Sequence, residues 1–226
     1  MSAIGELAAK LAHEMLNPLA GMKAAVQLMA AEARAGEVAS APVLETAHSL
    51  EREIGRVDGM LRRLLAYARP LEAHVEVCGI ASLVEAARES LPHLRAALSS
   101  SLTYSEEPGI PPIEVDPLLM TQVLVNLLRN AFEASPPGGA VRIKAERRTS
   151  AGTAMVCISV EDEGPGIPPA LADKLFQPFV SSKPDGHGLG LATSRNIVLE
   201  HGGKMTVRSR EPSPGTVFEV WLPLVR

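Results

Sequence analysis

DPLLMTQVLVNLLRNAFEASPPGGAVRIKAER, residues 116–147, decides the fold. Its first part, 117–134, carries apolar residues at helical spacing. Its last part changes period: Val141-Arg142-Ile143-Lys144 alternates apolar and polar residues, as a half-buried strand does. Working outward, helical signals recur at 80–98 and 189–200, and strand-like runs at 102–104, 113–115, 155–160, 205–207 and 217–222. Glu211-Pro-Ser-Pro-Gly215 joins the last two runs and suits a hairpin. Helices mixed with antiparallel strands predict a two-layer α/β sandwich over residues 71–226.

Upstream of Pro70 the pattern is helical throughout. Ile4, Ala8, Leu11, Met15, Met22, Ala25 and Met29 recur at helical spacing, and Gly36, Ser40 and Pro42 then interrupt the run. Ala47, Leu50, Ile54, Val57, Leu61, Leu64 and Ala68 follow by threes and fours as a heptad seam, which Pro70 stops. Residues 1–70 therefore read as an antiparallel helical hairpin. One hairpin cannot enclose its own seam, whereas two form a four-helix bundle, so the expectation is a homodimer. Packing of both helices onto the rest of the chain is the alternative. The fold class expected is α+β, hairpin first and sandwich second.

Composition narrows the function classes. Apolar residues make up 46% of the 226, which suits a globular chain, and the formal charge of −4 provides no basic field for nucleic acid. Cys78 and Cys157 form no CxxC pair, so free thiols in a reducing cytoplasm are expected. No apolar run approaches the roughly 18–20 residues that span a bilayer. The first residues form an amphipathic pattern with internal charges, unlike a signal peptide. A longer, membrane-anchored parent stays open.

Four segments carry chemistry. His13-Glu14-Met15-Leu16-Asn17-Pro18 puts a histidine beside a carboxylate, with a carboxamide one turn on. Asn17 stands where a zinc protease needs its second histidine, which excludes that reading. Pro18 leaves the carbonyl of Glu14 without its helical partner. Asn126 and Asn130 share a face of an apolar helix with Glu133 close by, and buried amides require partners, from a metal-phosphate group or from the core. Asp162-Glu-Gly164-Pro-Gly166-Ile167 follows a strand; its glycines permit close backbone approach, and Asp162 suits a buried amino group. Gly186-His187-Gly188-Leu189-Gly190-Leu191 opens a helix whose first N–H groups suit a phosphate.

In order and together, these motifs resemble the boxes of sensor histidine kinases, over essentially the whole chain. His13-Glu14-x-x-Asn17-Pro18 resembles the H box of the dimerisation and phosphoacceptor domain, and Asn126-Leu-Leu-Arg-Asn130-Ala the N box. Asp162-x-Gly-x-Gly166-Ile and Gly186-x-Gly-x-Gly190-Leu resemble the two glycine boxes, Phe176-Gln-Pro-Phe179 the F box, and Gly215-Thr216-x-Phe218 the last box. The spellings FQPFVSSK and NAFEA are similar to the nitrogen-regulation-type branch.

The resemblance implies an ATP pocket in 71–226. Asn130 would hold Mg²⁺ with Asn126 beside it, and Asp162 would read the adenine amino group. Lys183 would reach the terminal phosphates, and Gly186, Gly188 and Gly190 would line them. Residues 167–185 would form a lid clamped by Phe176 and Phe179. Glu133, Gly164, Ile167, His187, Leu189, Leu191 and Thr216 would complete the surroundings. His13 would be the phosphoryl acceptor, Glu14 its base, and Asn17 the residue that places water when the partner is dephosphorylated. Partners so implied are a second copy, a response regulator receiver domain, and an upstream sensor module or separate regulator. Related ATPases carry a Glu where Asn126 stands, so transfer to a protein is favoured over hydrolysis. Leu16 stands where a basic residue is usual, and His187 where a small hydroxyl residue is; the latter bears on lid closure. A serine-directed or dehydrogenase-type kinase would share the ATP fold, and a phosphotransfer scaffold with an inactive ATP domain is the non-enzymatic alternative.

Overall fold

The computed structural model divides into two compact units, Met1–Arg69 and Pro70–Arg226. It describes residues 73–92, 101–150, 152–181 and 188–224, together with helical positions scattered between 21 and 57. His13, Glu14, Asn17, Lys183, Gly186 and His187 lie outside the described residues.

In the first unit, 21–27 are helical, as are 29, 46, 48–50 and several positions to 57. Met22, Ala25 and Met29, three apolar residues of the first predicted helical run, are half-buried, whereas Lys23, Ala24 and Gln27 are exposed. Ile54, of the predicted heptad seam in the second run, is 55% exposed in the single copy.

The second unit is a five-stranded sheet with helices packed on it. Its elements are β1 (Glu76–Cys78), α1 (Ile80–Glu89), β2 (Leu102–Glu106), β3 (Ile113–Val115), α2 (Pro117–Ala134), β4 (Val141–Ser150), β5 (Thr153–Glu161), α3 (Pro169–Ala172), α4 (Gly190–Glu200), β6 (Lys204–Ser209) and β7 (Thr216–Pro223). The sheet runs β2-β4-β5-β7-β6, while β1 and β3 form a separate two-stranded ribbon. All neighbours in the main sheet are antiparallel except β2 and β4, which run parallel. That parallel edge departs from the antiparallel expectation. The run at 113–115 is a strand as expected, but it pairs with β1 outside the main sheet.

Strand alternation supplies one apolar face. Register places Ile143 opposite Val160, Val160 opposite Phe218, and Ile158 opposite Val220, and all of these are buried in one cluster with the helices. Against them lies α2, whose Met120, Val123, Leu124, Leu127, Leu128 and Ala131 are at most 2% exposed. Burying such side chains contributes about 1.5–3 kcal/mol each relative to exposure. From α1, Ile80, Leu83, Val84 and Ala87 join the core, and from α4, Ile197 and Val198.

Asp116 starts α2. Its carboxylate accepts the Leu119 N–H at 3.0 Å, with Pro117 in the first turn, where a missing N–H is harmless. The other oxygen accepts the His74 N–H at 2.8 Å. Its own backbone N–H donates to Nε2 of His201 at 2.9 Å, and His201 Nδ1 meets the Ile197 carbonyl at 2.7 Å. One residue thus ties the start of α2 to the ribbon and to the end of α4. There Gly202 takes φ +68, and Gly203 runs so close to β7 that a Cβ would sit 2.3 Å from the Trp221 carbonyl oxygen.

Burial raises the Asp116 carboxyl, but the Leu119, His74 and Leu118 N–H groups outweigh it and leave the group below the usual carboxylate range. A depressed folded-state value gives stability that is present above the unfolded value and lost as pH falls through the folded one. Asp116→Ala is expected to cost ~2 kcal/mol, roughly half from the cap and half from the stranded His74 N–H. Asp116→Asn should flatten the acid limb of stability against pH. Denaturant melts at a series of pH values measure both.

Candidate functional site

Three of the predicted segments converge around the C-terminal half of α2 and the N-terminus of α4. Asn126 projects from the apolar face of α2 and is 8% exposed. A buried amide needs partners at both ends. Its nitrogen donates to Ser194 Oγ on α4 at 3.0 Å, and its oxygen accepts from Arg129 Nη2 at 3.2 Å. Gly190 makes this approach feasible: a Cβ there would sit 2.4 Å from Asn126 Oδ1. Ser194 was not singled out from the sequence, although it stands one turn beyond Gly190. Asn130, one turn along α2, is half-buried, and Glu133 is exposed with Arg129 Nε 4.0 Å from its carboxylate.

Asp162 lies just past the end of β5 and is 2% exposed. Its Oδ1 accepts the Gly164 N–H at 2.9 Å and the Thr216 N–H at 3.1 Å, while its own N–H donates to the Thr216 carbonyl at 2.9 Å. Burial pushes its carboxyl up, against those hydrogen bonds, which draw it down. Gly215 is required for this packing, because a Cβ would fall 2.2 Å from the Asp162 carbonyl oxygen. Gly164 in turn hugs the end of α2: a Cβ there would lie 2.8 Å from the Ala134 carbonyl oxygen. The first glycine box, the last box and the N-box helix therefore meet at one point. Ile167, beyond Gly166, packs against the core as a half-buried residue.

The third junction joins the F box to the second glycine box. Phe179 is 7% exposed and holds φ +61, a left-handed conformation costly for a bulky residue. Its N–H donates to the Gly188 carbonyl at 2.9 Å. A Cβ on Gly188 would land 2.4 Å from the Val180 nitrogen. The Arg195 guanidinium on α4 lies 5.7 Å from the centre of the Phe176 ring, within cation–π range. Leu189 and Leu191 flank the start of α4, the first 1% exposed and the second packed against the core. Among the described residues, the N-cap residue Leu189 provides no side-chain hydrogen bond to the first turn of that helix.

Among the described residues no group of three or more His, Cys, Asp or Glu side chains is placed to hold a metal. Asn130 on α2 offers a carboxamide oxygen, a hard ligand of the kind that suits Mg²⁺ shared with phosphate oxygens and water. No helix among the described residues is long and apolar enough to cross a membrane.

Residues 3–72 match the family model "His Kinase A (phospho-acceptor) domain", and residues 115–226 match "Histidine kinase-, DNA gyrase B-, and HSP90-like ATPase". The chain is 32% identical over 223 residues to the sensor histidine kinase ZraS of Salmonella typhimurium, covering 99% of this chain and 46% of ZraS. It is 34% identical over 233 residues to the sensory histidine kinase/phosphatase NtrB of Rhodobacter capsulatus, covering 99% of this chain and 62% of NtrB. It thus spans about half the length of the first of these relatives and somewhat more of the second. Among solved structures it is similar to the mycobacterial sensor histidine kinase MprB, with 30% identity, a TM-score of 0.56 and coverage of 66% of this chain and 97% of that one. It is also similar to histidine kinase ThkA in complex with the response regulator TrrA, with 26% identity, a TM-score of 0.76 and coverage of 98% and 62%.

Gly190→Ala is expected to displace Asn126 and cost ~2 kcal/mol by overpacking, with Ser194→Ala costing ~1 kcal/mol for the lost hydrogen bond. Because both act on one contact, the double variant should lose less than the sum, as thermal melts of the set would show.

Proposed function

The chain belongs to the sensor histidine kinases of two-component systems, and on that premise we propose that it moves the γ-phosphoryl group of ATP onto His13 and from there onto an aspartate of a response regulator receiver. The observation that carries this reading is the buried Asp162 carboxylate, fixed by Thr216 and Gly164 beside the end of the N-box helix. A carboxylate offers about four lone-pair sites, so two N–H bonds leave capacity for an exocyclic amino group. Asp162 accepts from adenine in this reading. The first turn of α4, with Gly188 and Gly190, faces the phosphates, and Lys183 and Gly186 are assigned to the same phosphates from the sequence motif. Asn130 holds Mg²⁺, which when bound neutralises charge on the phosphate oxygens. Asn126, braced by Ser194, cannot act as a base toward water, so transfer to a protein acceptor is favoured.

Residues 1–70 supply the acceptor and the dimer, and 71–226 the nucleotide site. Neutral His13, whose ordinary pKa of about 6.5 leaves it mostly unprotonated at neutral pH, attacks the γ-phosphorus. The N–P bond forms as the bond to the ADP oxygen breaks, and Glu14 takes the other ring proton. Asn17 places water for the reverse task, dephosphorylation of the partner. Two hairpins assemble as a four-helix bundle, which covers seam residues such as Ile54. The similarity to NtrB supports the nitrogen-regulation-type branch. A cytoplasmic site gives access to ATP, and the signal reaches it through an upstream sensor module or a separate regulator. The partner of ThkA in its solved complex, a response regulator, supports the choice of acceptor.

Incubation with γ-labelled Mg-ATP tests the central step. Wild type is expected to take up label that is lost in acid and kept in base, and His13→Gln to take up none. Asp162→Asn should abolish labelling through loss of nucleotide binding. Acid-stable label, or label persisting in His13→Gln, would refute the proposal.

A further inference from the structure

Both neighbours of Asp162 are glutamates, and the same two arginines hold each of them. Glu161 Oε1 accepts from Arg142 Nη1 at 2.9 Å and from Arg210 Nε at 2.8 Å. Glu163 Oε1 accepts from Arg142 Nη2 at 3.0 Å and from Arg210 Nη2 at 3.3 Å, and its Oε2 accepts the Ala140 N–H at 3.1 Å. The four side chains are between 19% and 33% exposed. An exposed ion pair contributes little, but a network in which each arginine bridges two carboxylates fixes geometry.

The backbone explains why they meet. Residues 161 and 163 point to one side while 162 points to the other, as extended chain requires. Arg142 on β4 is the cross-strand partner of Glu161. Arg210 leaves β6 and reaches the pair past Gly215, where a Cβ would lie 2.9 Å from Arg210 Cδ. The Arg210 N–H also donates to the Gly215 carbonyl at 3.0 Å. Three strand ends thus lock onto one tripeptide. Without the arginines, Glu161, Asp162 and Glu163 would place three adjacent carboxylates together, the middle one buried. Arg210 also draws the Asp162 carboxyl down, against the burial that raises it.

We infer that Arg142 and Arg210 are positioning residues for recognition of the nucleotide base: they neutralise and orient Glu161 and Glu163 so that Asp162 is held facing inward. The inference rests on the proposed reading of Asp162. It predicts a defect confined to the base, since neither arginine belongs to the phosphate wall.

Calorimetric titration of the full chain with ADP and with inorganic tripolyphosphate, which has no base, tests it. Arg210→Gln is expected to weaken ADP about tenfold, the lower end of what removing a ligand's supporting partner costs at a metal site. Tripolyphosphate binding and the thermal midpoint measured with it should change far less. Arg142→Gln should shift ADP in the same direction by less, because Arg210 still reaches both glutamates, and it carries the test if Arg210→Gln does not fold. Arg210→Lys should recover part of the loss. Unchanged ADP affinity in both glutamine variants, or equal losses for ADP and tripolyphosphate, overturns the inference. If Asp162→Asn weakens ADP while both arginine variants keep it, only the positioning role falls. If Asp162→Asn itself leaves ADP binding unchanged, the reading of Asp162 has failed and this inference with it.

Discussion

A carboxylate that is 2% exposed has to be compensated by hydrogen bonds, and Asp162 sets much of the surrounding structure through that requirement. Thr216 supplies one N–H and Gly164 another, so β5 and β7 must arrive together and the chain must turn sharply after Asp162. Gly215 has no side chain because the Asp162 carbonyl occupies that space, and Gly164 has none because the end of α2 does. Gly164, Gly188 and Gly215 are thus explained by a backbone approach, and Gly190 by the Asn126 side chain. These four glycines are places where two segments of the chain touch.

The second constraint is the pairing of α2 with α4. Asn126 and Ser194 join the helices in their middles, and Asp116 and His201 join them at one end. Between these polar ties the contact is apolar, through residues such as Leu124 and Ile197 in the common core. The N-terminus of α4 is thereby held beside the face of α2 that presents Asn130. Phe179 and Gly188 add a third tie, and its strained backbone is the kind that persists only where its surroundings over-determine it. Candidate site residues drawn from distant parts of the chain are placed by these ties and not by local helix or strand preference.

Much of the fold could be read in the sequence. The period change between 117–134 and 141–147 gave a helix and a strand where α2 and β4 stand, and the turn-rich 211–215 joins β6 to β7 as a hairpin. What could not be read was pairing. Three-residue β1 offers no period to detect, and β3 was legible as a strand without any sign that it leaves the main sheet. The parallel β2–β4 contact depends on a crossover through α2, which leaves no mark in either strand. At the site, Asn126 stood out because an amide is costly in an apolar helix, and Asp162 and the glycines because of their spacing after a strand and at a helix start. Ser194, Arg142 and Arg210 did not, because a serine in a helix or an arginine at a strand end is ordinary by itself.

By itself, the sequence determined the helical hairpin pattern, the α/β character of the rest, the order of the six motifs and hence the family. These follow from local periodicity and from residue types that few other chemistries require. The tertiary structure alone decided which of those residues share an environment. It gave Asn126 to Ser194, set Thr216 on Asp162, and brought two arginines 68 residues apart in the sequence onto the same pair of glutamates. Such partnerships are fixed by strand register, by helix packing and by close contact at glycine, which are properties of the assembled fold and are written in no single segment.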